Sequence, residues 1–293
     1  MSITFSYEKQ GDPQATSKDG DGNPRRVLVT GANGRIGAYF AEHAASNYAL
    51  RLQVRDAAKG EGIAQWGEVV LCDMDDLEGL KRICQGIDTI IHLAGDPDPS
   101  AVWSSLLQSN IIGTYNLMVA AKSAGCRRVI YASSIHAVSG YRADLQVKTS
   151  EPVNPGDLYG VSKCFGEALG RYMAEQEGLS VIAIRIGAFQ PLDKADDDNA
   201  LWMMDCFLSQ RDLQQLLERC VDDTRLRFAL FQAVSDNRFK RLDISDAQDL
   251  VGYDPQDDLS EIFPGLEILN LDKNVFGQNV RDPIQKSGLR EDL

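Results

Sequence analysis

The chain of 293 residues is expected to fold as an α/β protein: a Rossmann-like doubly wound parallel sheet with a small C-terminal substrate-binding region. Three observations carry that expectation. From Arg25 to Gly187, short apolar runs alternate with longer helical ones, the pattern of successive right-handed βαβ units. The first run ends in Gly31-Ala32-Asn33-Gly34-Arg35-Ile36-Gly37, a glycine turn that opens a helix. The strand cores are apolar at successive positions, as in Val27-Leu28-Val29, which suits strands buried on both faces.

The elements read in order as follows. Met1 to Pro24 is rich in Asp, Gly and Ser and reads as a flexible tail (1–24), in which Ile3 to Tyr7 has the composition of an edge strand. It holds no apolar leader, so a cytoplasmic protein is expected. The dinucleotide-binding Rossmann domain is expected over 25–187. After the first strand come a helix from Ile36 to Ala45 and strands at Leu50–Val54 and Glu68–Leu71. A helix over Leu77–Cys84 leads to the strand Thr89–Leu93, then a long helix from Ala101 to Ser123. The strand Arg128–Ala132, a helix from Leu158 to Gln176 and the strand Val181–Ile186 follow. Beyond Gly187 the alternation stops, and 188–293 reads as a smaller, mostly helical substrate-binding region. There an acidic loop (Asp193–Asp198), a helix over Ala200–Cys220, a strand over Leu226–Val234 and a short helix ending near Gly252 are expected. Trp202 and Phe207 read as packing residues.

Composition narrows the partners. No run approaches the roughly 20 apolar residues a membrane span needs. A net charge of −13 repels nucleic acid phosphates and anionic lipid, so neither is expected as a partner. The six cysteines form no C-x-x-C pair and the three histidines are scattered, so no metal site is expected. The long helices leave a homodimer open.

The glycine turn is the sharpest local signal. Gly31 permits a tight turn, Gly34 lets backbone approach a diphosphate, and Gly37 lets helix pack on strand. With Asn33, Arg35 and Ile36 they are the expected cofactor cradle, because a helix N-terminus presents unpaired N–H groups to an anion. The end of the second strand selects the dinucleotide. Val54 stands where an NAD site usually has a carboxylate, and Arg55 follows, which favours the 2′-phosphate of NADP over NAD. Asp56 is the rival, since a shift of one residue in register gives it the NAD role. Asp73 and Met74 are placed for the adenine edge, Leu93, Ala94 and Gly95 for ribose and diphosphate, and Ile186 is also expected to bind the cofactor.

Chemistry is expected at Tyr159 and Lys163, four residues apart on one helical face. A phenol alone titrates too high to be a good base at neutrality. An ammonium about 4 Å away is worth on the order of 4 kcal/mol, or about three pKa units. Ser134, at a strand end, is expected to donate a hydrogen bond to the reacting oxygen, with Ser133 as the adjacent alternative.

These residues resemble the extended short-chain dehydrogenase/reductase superfamily, the class that holds NAD-dependent epimerases and dehydratases. The resemblance spans about Arg25 to Asp258. The stretches Asn110-Ile-Ile-Gly113-Thr-Tyr-Asn116, Ala132-Ser-Ser-Ile-His136 and Leu158-Tyr-Gly-Val-Ser-Lys-Cys-Phe-Gly-Glu167 are most similar to uronate dehydrogenases. The resemblance implies that Asn110 holds the active-site helix and a water relay near Lys163, and that Ser134, Ile135, His136, Tyr159 and Ala188 meet substrate. The chain departs from that pattern in the pocket. Ile135 replaces an Asn, Ala188 replaces a Ser, and no arginine follows until Arg211, where uronate dehydrogenases clamp the sugar carboxylate. The resemblance therefore implies an NAD(P)-dependent oxidoreductase moving hydride between a sugar hydroxyl, C1 of an aldose or uronate, and the nicotinamide. The alternatives are a nucleotide-sugar epimerase or dehydratase with retained cofactor, and a non-catalytic NADP sensor.

Overall fold

The computed structural model describes residues 5–7, 17–192 and 203–263. The strands are β1 (Phe5–Tyr7), β2 (Arg26–Thr30), β3 (Ala49–Val54), β4 (Glu68–Leu71), β5 (Thr89–His92) and β6 (Arg128–Ser134). They continue with β7 (Ser180–Ile186), β8 (Ala188–Gln190), β9 (Phe207–Ser209) and β10 (Leu226–Ala233). Eight of them form one sheet in the order β1-β10-β7-β6-β5-β2-β3-β4. All its neighbours are parallel except β1, which runs antiparallel to β10 at the edge. From β2 the chain builds outward to β4, then returns to β5 and builds the other way. The strand order reverses between β2 and β5, the place where such sheets open a ligand crevice at their C-terminal ends.

Helices cover both faces: α1 (Arg35–Ala44), α2 (Ala57–Gly60), α3 (Leu77–Ile83), α4 (Trp103–Leu106), α5 (Gly113–Ser123) and α6 (Leu158–Glu175). In the last third lie α7 (Gln210–Asp222), α8 (Ser245–Val251) and α9 (Leu259–Ile262). Alternate strand residues feed two cores. Val27, Val29, Ile91 and Ile184 pack with Phe40 of α1 and Leu216 of α7. Leu28, Ile90, Val129 and Val181 pack with Leu80, Leu117 and Met173 of α3, α5 and α6. Each such side chain contributes roughly 1.5–3 kcal/mol by leaving water.

Two buried arginines tie the layers together. Arg185 of β7 donates twice to Glu167 of α6, at 2.9 and 2.8 Å, and Ser133 donates to the same carboxylate at 2.6 Å. Arg128 of β6 donates to Cys220 O at 2.7 Å and Leu226 O at 2.6 Å, binding the end of α7 and the start of β10 to the sheet. No described helix is long and apolar enough to cross a membrane.

The structure corrects the expected helix over Ala200–Cys220. Phe207–Ser209 is instead strand β9, pairing in parallel with β8, and α7 begins only at Gln210, where the Ser209 hydroxyl accepts from Asp212 N at 3.3 Å. The helical period of α7 extends back across β9 in sequence, but Gly187 and β8 draw β9 into pairing. Residues 193–202, with the acidic loop and Trp202, lie outside the described residues, as does everything after 263. Phe207 is fully buried against Met203, Met204 and Leu259. The sheet also runs past Gly187, because β10 joins β7 over six register pairs. The helix expected over Ala101–Ser123 forms as α4 and α5 joined through a π-helical stretch, Leu107–Ile112.

Candidate active site

The glycine turn after β2 has the backbone its sequence demands. Gly31 has φ +65°, and a Cβ there would stand 3.0 Å from Ala94 Cα. A Cβ on Gly37 would meet Gly31 O at 2.7 Å and Ala32 Cα at 2.8 Å. Strand, turn and helix therefore touch without side chains between them, and Gly34 caps α1 with no side-chain hydrogen bond of its own. That leaves the first turn of α1 to present its N–H groups outward, an arrangement suited to a diphosphate. Gln53 braces the turn from β3: Gly31 N donates to its Oε1 at 2.9 Å, and its Nε2 donates to Cys72 O at 2.5 Å. Thr30 Oγ1 accepts from Leu93 N and Ala94 N, both at 3.2 Å, joining the β2 and β5 ends.

The turn opens into a cleft of about 1070 Å³ along the C-terminal edge of the sheet. One end is lined by Val54, Arg55, Lys59, Asp73 and Met74. Asp56 has another place, since its side chain caps α2 by accepting from Ala58 N at 3.0 Å. Leu93, Ala94 and Gly95 line the middle, and Asn33, Gly34, Arg35 and Ile36 face them. Arg35 reaches across to donate to Phe189 O, with its guanidinium 5.9 Å from the Phe189 ring centroid. A cavity of this volume, lined by the glycine turn, fits a dinucleotide.

At the other end the cleft meets Ser134, Ile135, His136, Tyr159, Lys163, Ile186 and Ala188. Helix α6 delivers two of these because Asp157 caps its N-terminus, accepting from Gly160 N at 2.7 Å. The Ser134 hydroxyl accepts from His136 N at 3.2 Å and stands near enough to the Tyr159 phenol to favour its ionised form. Ser133 points the other way, into the Glu167–Arg185 pair. His136 is held twice: its ring stands edge-on to Tyr159 with centroids 5.4 Å apart, and its Nδ1 donates to Asp157 Oδ2 at 2.6 Å.

The electrostatics differ from the expected picture. Lys163 Nζ donates to Ala132 O at 2.9 Å and lies 5.4 Å from the ring centroids of both Tyr159 and Tyr131. Burial, opposed by the nearby Ser134 hydroxyl, pushes the Tyr159 phenol up to about 12, and Asp157 and Asp96 add to the rise. Burial pulls the Lys163 ammonium down to about 8. Desolvation penalises the charged form of each group. The lysine is anchored to a carbonyl rather than turned wholly to the phenol.

All the expected cofactor and substrate positions line the cleft, while Asn110 stands behind it. Asn110 is buried in the π-helical stretch, where its Oδ1 accepts from Asp96 N at 2.7 Å and its Nδ2 donates to Ser162 Oγ at 3.0 Å. It fastens the loop after β5 to α6. Sequence reasoning missed Gln53, Lys59, Asp96, Asp157 and Phe189. Only Asp157, two residues before Tyr159 at a helix start, carried a local signal. Among the described residues no cluster of potential metal ligands occurs.

Residues 27–189 match the model of the NAD dependent epimerase/dehydratase family, and the chain belongs to that family. The chain is 35% identical over 253 residues to an NAD-dependent glucose-6-phosphate dehydrogenase of Haloferax volcanii, covering 80% of this chain and 94% of that one. It is 33% identical over 259 residues to an L-arabinose 1-dehydrogenase (NAD(P)(+)) of the same organism, covering 81% and 98%. The solved structure of a glucuronic acid dehydrogenase from Chromohalobacter salexigens superposes with a TM-score of 0.75 at 33% identity, covering 83% of this chain and 88% of that one.

Proposed function

We propose that this chain is an NAD(P)-dependent sugar dehydrogenase that oxidises a sugar hydroxyl, with C1 of an aldose going to the lactone. The observation that carries this reading is the convergence of Ser134, Tyr159 and Lys163 on one end of a cleft lined by the glycine turn. The relatives' names, dehydrogenases of free or phosphorylated sugars, support it over an epimerase. Of Arg211, Arg219, Arg225 and Arg227, the cluster a second, sugar-linked diphosphate would draw on, three are engaged elsewhere. Arg211 is bidentate to Asp257 at 2.8 and 2.5 Å, Arg225 pairs with Asp223 at 3.1 Å, and Arg227 donates to Ala174 O and Glu175 O at 2.9 Å.

In this reading Gly31, Asn33, Gly34, Arg35, Ile36 and Gly37 hold the diphosphate, Asp73 and Met74 the adenine, and Leu93, Ala94 and Gly95 the adjoining ribose. Ile186 backs the nicotinamide. When bound, that oxidised ring supplies a hydride acceptor. Arg55 together with Lys59 favours a 2′-phosphate, hence NADP over NAD, because guanidinium and ammonium match its charge. Ser134 orients the sugar oxygen and Tyr159 takes its proton. Lys163 supplies positive charge beside the phenol and hydroxyl contacts for the ribose. Asn110 positions α6 through Ser162. Ile135, His136 and Ala188 shape the sugar pocket, to which residues beyond 188 contribute. The exposed Leu107, Tyr115, Val161 and Tyr172 of α5, α6 and the π-helical stretch suit pairing of two copies.

The test is a screen of free aldoses, uronates and sugar nucleotides with NAD and NADP, following absorbance of the reduced nicotinamide. Steady reduction by a free sugar supports the reading. Epimerised product without net reduction, or cofactor binding without turnover, refutes it.

A further inference from the structure

The loop after β5 brings a carboxylate to the catalytic end of the cleft. Asp96 follows Gly95, is half-buried and lines the cavity together with Tyr159 and His136. Its backbone is clamped on both sides by one residue: Asp96 N donates to Asn110 Oδ1 at 2.7 Å, and Asn110 Nδ2 donates to Asp96 O at 3.1 Å. Since Asn110 also holds Ser162 of α6, the position of Asp96 is set relative to the helix that carries Tyr159. The side chain is oriented as well. Ser105 Oγ donates to Oδ2 at 2.5 Å and Asp98 N donates to Oδ1 at 3.1 Å. Each carboxylate oxygen keeps a second lone pair for a further donor.

The described cations of the cleft stand away from Tyr159 except Lys163, whose Nζ is 5.4 Å from its ring centroid. Among the described lining residues they are Arg35, Arg55, Lys59 and Lys163. Arg35 donates to Phe189 O, Lys163 to Ala132 O, and Arg55 and Lys59 stand at the β3 end. Beside the Lys163 ammonium, which donates to Ala132 O, and the Ser134 hydroxyl, this end of the cleft carries the Asp96 carboxylate and the His136 ring, whose Nδ1–H is spent on Asp157. The Asp96 carboxylate suits sugar hydroxyls, which donate, and opposes a second carboxylate, which only accepts.

We propose that Asp96 is a specificity-determining residue, whose carboxylate accepts a hydroxyl of a neutral aldose and turns away a ring that bears a carboxylate. The inference rests on the sugar-dehydrogenase reading and names its substrate class. Asp96 follows Gly95, where a Cβ would stand 3.9 Å from Lys163 Nζ, and its Asn110 clamp also holds Ser162. Its loop therefore lies against the turn of α6 that carries the catalytic pair, and its charge adds to the rise of the Tyr159 phenol.

The experiment compares kcat/KM for D-glucose and L-arabinose with that for D-glucuronate, at saturating cofactor, in the wild type, Asp96→Asn and Asp96→Glu. The wild type should favour a neutral aldose by about a hundredfold, the scale of a like-charge contact. Asp96→Asn keeps the shape and one acceptor oxygen, and should narrow that ratio by about tenfold or more through a lower KM for glucuronate. Asp96→Glu keeps the charge and should retain the wild-type preference. Cofactor KM should stay the same in all three. A wild type that prefers glucuronate, or a ratio that Asp96→Asn leaves within about twofold, overturns the proposal. Should Asp96→Asn fail to fold, the wild-type preference and the Asp96→Glu ratio still decide it. Oxidation of no sugar by any of the three removes the dehydrogenase reading itself, a result distinct from a ratio that does not move.

Discussion

His136 and Asp157 form a hydrogen-bonded pair across 21 residues, Nδ1 to Oδ2 at 2.6 Å, while the other oxygen of the same carboxylate caps the helix that carries Tyr159. A carboxylate can only accept, so Nδ1 carries the hydrogen of this bond, and in the neutral ring Nε2 is the acceptor. One side chain thereby sets both the start of α6 and the tautomer of its neighbour.

Asp157→Asn separates the two roles. Asparagine caps helices about as well as aspartate, so the melting temperature should change little. Its amide cannot enforce the same tautomer, and kcat/KM for the sugar should fall about ten- to a hundredfold. Steady-state kinetics beside a thermal melt reads both; an unchanged kcat/KM would discard the pair as a functional unit.

Tyr159→Phe keeps the ring against His136 and removes the hydroxyl. Turnover should drop by about 10² to 10⁴, the usual worth of a positioned acid or base. Cofactor affinity, followed by fluorescence titration, should be retained. Turnover near wild type would remove Tyr159 as the base.

The two shifted groups predict a pH profile for sugar oxidation. Tyr159 sits near 12 and Lys163 near 8. Below the tyrosine value the phenolate fraction grows about tenfold per pH unit, so the rate rises with pH. Above about 8 the lysine loses the charge that supports it, and the rise should flatten there. Log kcat/KM plotted against pH checks this, and a profile falling steadily from neutrality upward contradicts it.

Arg55→Ala and Lys59→Ala should each weaken NADP by about tenfold or more, as loss of a charge-assisted contact does, and leave NAD nearly unchanged. Equal loss for both dinucleotides would mean that neither side chain meets the 2′-phosphate.

Glu167→Gln leaves Arg185 buried without its counter-charge, with Ser133 still facing residue 167. Breaking such a pair from one side costs about 3–5 kcal/mol, so a large fall in melting temperature is expected. A loss below about 1 kcal/mol in denaturant titration would show that the pair does not lock α6 to β7.

Much of the fold was legible because its signals are local. Gly31, Gly34 and Gly37 mark a turn whose geometry excludes a Cβ, and the apolar runs of β2, β5 and β7 announce strands covered on both faces. The spacing of Tyr159 and Lys163 declares one helical face by itself. The stretch before α7 was misread because its apolar residues suit helix and strand alike, and pairing with β8 decided between them.

The sequence by itself determined the glycine turn after β2 and the placing of Tyr159 and Lys163 on one helical face, the basis of the proposed Ser-Tyr-Lys chemistry, since both depend on residues a few positions apart. Tertiary structure decided the environment of that chemistry: the anchoring of Lys163 on Ala132 O, the bracing of Gly31 by Gln53, the reach of Arg35 to Phe189 and the setting of Asp96 by Asn110. These are contacts between residues from 14 to 154 positions apart. They exist only because the sheet gathers its strand ends along one edge, and burial there moves the charges that a linear reading had assigned by proximity alone.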